Sequence, residues 1–152
     1  RKALFEQASY TINCKPEELG GLSVGEALLK PHLCYWAAIK KALAASVKLD
    51  GIAHITGGGL YDNVPRILPE GVMVKFDAPN IQEAPAIFNL IQKCGNISDP
   101  EMYRVFNMGI GMIWFVPEEE VGVALEVCLG TGFDAAVIGK VYPGNGEVEI
   151  VF

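Results

Sequence analysis

The sequence has no basic run, and its acidic residues outnumber its basic ones. Its 152 residues contain 12 Lys and Arg against 18 Asp and Glu, which gives a formal net charge of -6. A nucleic-acid-binding surface normally carries clustered Lys and Arg that offset the phosphates. The sequence therefore predicts no nucleic-acid partner, although a few backbone amides or one arginine can still hold a small anion.

Long apolar runs are also absent. No stretch approaches the ~20 apolar residues that span a bilayer, and the first six residues, Arg1–Glu6, are not followed by an apolar signal core. We therefore expect no membrane association. Because the first residue is not methionine, we also expect the chain to begin partway through a longer protein.

The cysteines do not form a metal-binding pattern. The four of them, Cys14, Cys34, Cys94 and Cys128, include no CxxC pair, and their spacing fits neither a zinc site nor a small disulfide scaffold. The sequence predicts no metal site and no nucleophile–base–acid set of the hydrolase kind. Reduced, mostly buried thiols are typical of cytoplasmic proteins, so we expect a cytoplasmic location.

What is present is the composition of a globular domain. Hydrophobic residues make up 51% and charged residues 20%, and the length is that of one domain with a real core. Predicted strands and helices alternate irregularly, and strands at 135–141 and 147–152 are predicted to form a terminal hairpin around the turn 143–146. Residues 1–152 are therefore predicted to be a single α+β domain, with helices packed on a mixed β-sheet.

Local signals predict the remaining elements. Ser23 and Glu26 have the spacing of a capping box at the start of a helix, Pro85 is tolerated in a first helical turn, and Trp36 is expected in the core. The predicted helices are 2–10, 24–29, 34–47, 60–68, 83–94, 98–106 and 117–129, and the other predicted strands are 51–56, 72–77 and 109–116.

The most informative segment is a strand that runs into three glycines and then a helix, AHITGGGL at 53–60. Gly57, Gly58 and Gly59 are expected to present unhindered backbone N–H groups at a positive helix end, which suits a phosphate or another developing anion. Thr56 can add a hydroxyl, and His54 can donate to a phosphate or transfer a proton. Because glycine-rich loops are common, the residues alone favour the alternative of a tight strand–helix turn beside a core histidine.

A second glycine segment, FNMGIGM at 106–112, lies between a predicted helix and a predicted strand. The amide of Asn107 can orient a ligand, and Gly109 and Gly111 are expected on one open face of the strand. The alternative is that Asn107 is a helix cap and that the glycines make room for a packed helix.

Two further polar residues have alternative interpretations. Arg66, after the glycine loop, can point a guanidinium at a phosphate, but a solvated arginine is at least as good a reading. His32 lies beside Pro31 at a helix junction, and a surface histidine is the favoured interpretation.

Read in order, four blocks resemble the C-terminal half of the aminoimidazole ribonucleotide synthetase family. They are GEALLxP (25–31), AHITGGGLxxNxPRxLP (53–69), EMxRxFNMGIGM (101–112) and VIGKV (137–141). The resemblance covers nearly the whole chain. It implies a two-domain, ATP-dependent cyclo-ligase of purine biosynthesis, in which the N-terminal domain supplies most ligands to ATP and Mg²⁺ and forms a homodimer core.

The resemblance also implies a substrate and roles for the glycine loop. The family activates the formyl oxygen of formylglycinamidine ribonucleotide with ATP and closes an imidazole ring. Thr56 and Gly57–Gly59 are then expected to hold a phosphate, Asn107 and Arg66 to contribute to substrate binding, and His54 to serve a polar or proton-transfer role. The chain alone is expected to be inactive.

The chain departs from the family pattern at 31–35, where it reads PHLCY and the family often has PTRIY, and at Val105, where the family usually has threonine. An arginine and a hydroxyl that can contact a ligand are thereby lost. Two alternative functions stay open at this point: a noncatalytic phosphate-binding module and another ATP-dependent member of the same superfamily.

Overall fold

The computed structural model describes residues 1–78, 81 and 83–152. Helices α1 to α6 are Val24–Leu28, Trp36–Ala44, Gly59–Asn63, Ala86–Gly95, Asp99–Val105 and Val121–Leu129. Strands β1 to β5 are Gly51–His54, Val72–Asp77, Met112–Phe115, Gly139–Pro143 and Val148–Val151. A π-helical segment, Lys2–Gln7, and 3₁₀ turns at Glu17–Leu19, Pro65–Ile67 and Glu118–Glu120 are also present. In these ranges no helix is long and apolar enough to cross a membrane.

The described strands form two sheets. β1 pairs antiparallel with β3, and His54 lies opposite Met112. In the second sheet β2 is central, with β4 antiparallel on one side and β5 parallel on the other. The α+β class with a mixed sheet is therefore confirmed.

The predicted terminal hairpin is wrong, because β2 lies between β4 and β5. Their connecting turn crosses the beginning of β2, where the Gly144 N–H donates to the Gly71 carbonyl at 3.0 Å and the Gly146 N–H to the Val72 carbonyl at 2.7 Å. Turn residues indicate only that the chain reverses direction. The chain reverses both in a hairpin and in a connection that crosses one intervening strand, so these residues do not distinguish the two. The strand predicted at 135–141 also starts later, at Gly139, where its ladder with β2 begins.

One hydrophobic core joins the two sheets through α3. Val74 and Phe76 of β2 are 1% and 2% exposed, because their side chains point to the face of the sheet that packs on this core. Other buried residues of this core come from β1, α3, β3, β5 and the adjoining segments: Ala53, Ile55, Leu60, Val64, Ile81, Ile113 and Ile150. The core therefore fixes the end of β1 and the beginning of α3, between which the glycine loop lies.

Several boundaries differ from the predicted ones for local reasons. Pro85 has an extended ψ of 137° and is the N-cap of α4, not part of its first turn. α3 ends at Asn63, before the 3₁₀ turn that starts at Pro65. β3 begins only at Met112, because Met108 and Gly109 have φ of 49° and 90°, which is incompatible with a strand.

The core assignment of Trp36 is wrong. Helix α2 is shorter than predicted and buries Ala38 and Ala42, which are one turn apart on the same face. Trp36 lies outside that face and is 62% exposed.

The cysteines are free but less buried than expected. Cys34 is exposed, and Cys14, Cys94 and Cys128 are partly buried. Burial raises the pKa of the Cys128 thiol, whereas hydrogen bonds with Thr11 lower that of Cys14.

The predicted capping box is present at α1, and its removal has a measurable cost. The Ser23 Oγ accepts a hydrogen bond from the Glu26 N–H at 3.2 Å, and the Ser23 N–H donates to the Glu26 carboxylate at 2.7 Å. We expect Ser23→Ala to lower the free energy of unfolding by about 1 kcal/mol in urea unfolding. Ser98→Ala is the matched control, because Ser98 precedes α5 without a side-chain cap; equal losses for both variants would contradict this role.

The same contact gives the capping box a pH dependence. The hydrogen bond from the Ser23 N–H lowers the pKa of Glu26 in the folded chain. A carboxyl with a lowered folded pKa stabilises the fold above its unfolded pKa, and that contribution disappears as the pH falls through the folded value. Ser23→Ala keeps this N–H and removes the Ser23 hydroxyl, which also donates to the Glu26 carboxylate at 2.7 Å and lowers its pKa. The part of the difference between wild type and variant that comes from the hydroxyl–carboxylate hydrogen bond is therefore expected to disappear under acidic conditions.

Candidate functional site

The glycine loop follows β1, and strand alternation decides which of its neighbours face outward. Ala53 and Ile55 are 2% and 0% exposed, whereas His54 and Thr56 are exposed. Successive side chains of an extended segment point to opposite faces. The two polar candidates therefore share the outer face immediately before the glycines.

The loop glycines adopt backbone conformations that L-residues rarely adopt. Gly58 has φ of 88° and is the N-cap of α3, and Gly59 has φ of 55°. The Gly58 N–H donates to the Val105 carbonyl at 3.2 Å, and the Gly59 N–H donates to the Thr56 carbonyl at 3.1 Å. The expectation of three unhindered amides is therefore wrong for two of them. In the described part of the chain, only the Gly57 amide among the three has no acceptor.

Asn63 organises this loop, and the sequence analysis assigned it no role. It is buried, with 5% exposure, at the end of α3. Its Nδ2 donates to the Gly59 carbonyl at 2.8 Å and to the Gly57 carbonyl at 3.2 Å, and its Oδ1 accepts from the Thr56 hydroxyl at 3.5 Å. The sequence feature that could have indicated this role is a polar residue four positions after Gly59, next to the apolar face of a short helix.

The second glycine segment meets the first one. The Val105 carbonyl at the end of α5 accepts from Gly58, and the Ile55 N–H donates to the Gly111 carbonyl at 3.0 Å. Asn107 follows α5 directly, and its Oδ1 accepts from the Gly109 N–H at 3.2 Å, which forms a local turn. The two segments that sequence analysis singled out are thus adjacent, with Asn107 beside the junction.

Gly109 and Gly111 do not leave an open strand face. A Cβ on Gly109 would lie 2.6 Å from the Pro85 Cδ, and one on Gly111 would collide with the Tyr35 hydroxyl. These glycines make room for protein groups, as the alternative interpretation held, and both precede β3. Their expected role in admitting a ligand is therefore wrong.

His54 has a partner that the sequence did not indicate. Its Nε2 lies 2.9 Å from the Nε2 of His32, at hydrogen-bonding distance. The His32 ring is also edge-on to Tyr35, with centroids 5.6 Å apart, and Tyr35 contacts Phe133 at 5.2 Å. Burial raises the pKa of Tyr35. His32 is exposed, as expected of a surface histidine, but it is not isolated.

The backbone of Arg66 does not lie next to the glycine loop. It lies on the 3₁₀ turn after α3, and the neighbouring Ile67 contacts Gly51 at the opposite end of β1. Arg66 is exposed, and its predicted phosphate contact stays a prediction.

The described residues contain no group of three or more His, Cys, Asp and Glu side chains that could hold a metal ion. The donor set here therefore does not fit a magnesium site. What the site offers an anion is the Gly57 amide and the imidazole of His54. The Thr56 hydroxyl would join them by turning away from the Asn63 Oδ1, to which it donates at 3.5 Å.

Fold and site together define an α+β domain in which the glycine loop at 57–59 lies against the second glycine segment, 106–112. The family described as "AIR synthase related protein, C-terminal domain" matches residues 5–151. The chain belongs to this family, as the four sequence blocks suggested.

Three similar curated proteins have the same name. The chain is 40% identical over 151 residues to a phosphoribosylformylglycinamidine cyclo-ligase of Bifidobacterium longum subsp. infantis, a match that covers 99% of the chain. It is 43% identical over 148 residues, 97% of the chain, to that of Thermoanaerobacter sp.. The protein of that name from Carboxydothermus hydrogenoformans is 43% identical over 150 residues, 99% of the chain. In each case the chain spans 43% of the relative's length.

Proposed function

We propose that this chain is the C-terminal, substrate-binding domain of an ATP-dependent cyclo-ligase. The full-length enzyme would convert formylglycinamidine ribonucleotide to aminoimidazole ribonucleotide in de novo purine biosynthesis, as a cytoplasmic homodimer. The observation that carries the proposal is the match of 97–99% of the chain, at 40–43% identity, to proteins named as that cyclo-ligase. The 43% coverage of those relatives leaves room for a separate N-terminal domain.

In this proposal the N-terminal domain holds ATP and Mg²⁺, because the described residues of this chain offer no metal-binding cluster. ATP would supply the phosphoryl group that activates the formyl oxygen. The present chain would bind the substrate, orient it and close the cleft against water. Positioning of this kind contributes several kcal/mol to a typical enzymatic rate enhancement.

The glycine loop is the proposed phosphate site. The Gly57 amide, which has no acceptor among the described residues, and the exposed side chains of His54 and Thr56 lie within four residues of one another, so they would donate to one phosphate group. For Thr56 this requires its hydroxyl to turn away from the Asn63 Oδ1. Gly58 and Gly59 would contribute by holding the loop and not by donating. Asn107 is proposed to position the contact between the glycine loop and the end of α5. Arg66 is proposed to contact the phosphate with a side chain that extends from the 3₁₀ turn back along β1.

The proposal is tested by assaying ADP and aminoimidazole ribonucleotide formation from ATP and formylglycinamidine ribonucleotide. We expect no product from this chain alone and product when it is joined to the upstream half of its protein. Circular dichroism of both preparations serves as the folding control. A folded, joined protein without product would contradict the ligase proposal and favour a noncatalytic phosphate-binding module or a different ATP-dependent reaction.

A further inference from the structure

The chain contains two histidines, and the fold brings them into contact across 22 residues of sequence. The Nε2 atoms of His32 and His54 are 2.9 Å apart, and the ring centroids are 4.8 Å apart at an interplanar angle of 71°. Such a contact between two exposed side chains is not required by the core. It joins the last residue of β1 to the segment that precedes α2.

Besides its contact with His54, the His32 ring is connected to β1 through a second set of contacts. Tyr35 contacts the His32 ring on one side and Phe133 on the other. The Tyr35 hydroxyl lies against Gly111, where a Cβ would collide with it, and the Gly111 carbonyl accepts from the Ile55 N–H. Ile55 follows His54 directly in the chain. The contacts through Tyr35 and Gly111 therefore link His32 back to the strand that carries His54.

Hydrogen-bond chemistry limits the states of this pair. An N–H···N bond requires one ring to donate a proton from Nε2 and the other to accept with a bare Nε2. The accepting ring must carry its proton on Nδ1, because the bond at one ring nitrogen decides the protonation of the other. The two rings therefore cannot choose their tautomers independently while the contact persists.

We propose that His32 is a positioning residue that donates its Nε2–H to the Nε2 of His54, so that His54 presents Nδ1–H to a phosphate oxygen. This inference rests on the proposed role of the glycine loop as a phosphate site. With His54 accepting at Nε2, its Nδ1–H joins the Gly57 amide as a donor, and the Thr56 hydroxyl adds a third once it turns away from the Asn63 Oδ1. In the reverse arrangement a neutral His54 would aim a bare Nδ1 lone pair at the phosphate, which is repulsive.

The test uses this chain with uniform ¹⁵N labelling, in buffer with EDTA so that no metal ion bridges the rings. Long-range ¹H–¹⁵N correlation spectra report the tautomer of each ring, and inorganic phosphate is the titrated probe. In the wild type we expect His54 in the Nδ1–H form, with its Nδ1 signal shifting as phosphate is added. We expect His32→Ala to release this tautomer and to weaken phosphate binding about 3- to 10-fold, the equivalent of one hydrogen bond.

Two further variants separate positioning from charge and packing. His32→Gln keeps an N–H donor on a side chain of similar reach and is expected to recover most of the affinity. Lys30→Ala removes a nearby exposed cation and is expected to leave both tautomers and the affinity unchanged.

The possible failures are distinguishable. Phosphate binding by a wild-type chain whose His54 is in the Nε2–H form would overturn the positioning role of His32 and leave the proposed phosphate site intact. The expected tautomers with no response of His54, Thr56 or Gly57 signals to phosphate would overturn both the phosphate site and the donor role inferred for His54. An unchanged His54 tautomer in folded His32→Ala would also overturn the inference.

Discussion

Gly59→Ala is expected to lower the free energy of unfolding by about 3 kcal/mol, which is a large part of the ~5–15 kcal/mol available to a typical domain. Gly59 is buried and has φ of 55°. An added Cβ would lie 2.7 Å from the Phe106 carbonyl oxygen and would collide with that of Tyr103. Both obstacles are backbone atoms at the end of α5, so no side-chain rotation relieves the clash.

Two costs combine in this substitution. A non-glycine residue in the left-handed region costs roughly 1–2 kcal/mol, and overpacking a well-packed site typically costs about 1–3 kcal/mol. Because the clash is with α5, relief would require α5 to move away from the loop. The hydrogen bond from the Gly58 N–H to the Val105 carbonyl would then lengthen as well.

Gly57→Ala is the matched control in the same loop. A Cβ on Gly57 would have no heavy atom within 4 Å, and its φ lies outside the positive range. We expect urea unfolding of this variant to stay within about 0.5 kcal/mol of the wild type. Similar losses for Gly57→Ala and Gly59→Ala would show that the close approach of α5 is not what constrains the loop.

Elements encoded by neighbouring residues were predictable. The strand predicted at 72–77 has the observed bounds, Val72–Asp77, because its alternating apolar residues face one core. The capping box of Ser23 and Glu26 is present because both its partners lie within four residues. The position of the glycine loop between a strand and a helix was predictable for the same reason.

What the sequence did not reveal depends on contacts between distant segments. The Val105 carbonyl occupies the Gly58 amide, and no local pattern around either residue indicates that they meet. The contact between His32 and His54 depends in the same way on where the segment before α2 lies relative to the end of β1. The order β4–β2–β5 likewise reflects tertiary pairing that a turn signal cannot specify.

Asn63→Ala is expected to cost about 2–4 kcal/mol and to loosen the loop that carries the proposed phosphate site. The variant loses the donor to the Gly57 and Gly59 carbonyls. A lost hydrogen bond costs about 1 kcal/mol net, and a buried acceptor left without a partner adds roughly 1–3 kcal/mol.

Asn63→Asp distinguishes the lost donor from the lost volume. Aspartate has nearly the same shape, but when ionised it has no N–H and would turn an acceptor toward two carbonyl oxygens. We therefore expect Asn63→Asp to be at least as destabilising as Asn63→Ala at neutral pH, and less so under acidic conditions, where a protonated carboxyl can donate. Asp62→Asn, at an exposed position of the same helix, is the control and is expected to change stability little. If Asn63→Asp were as stable as the wild type at neutral pH, the side-chain amide would not be what holds Gly57 and Gly59, and the rigidity of the loop would have to come from its contact with α5 alone.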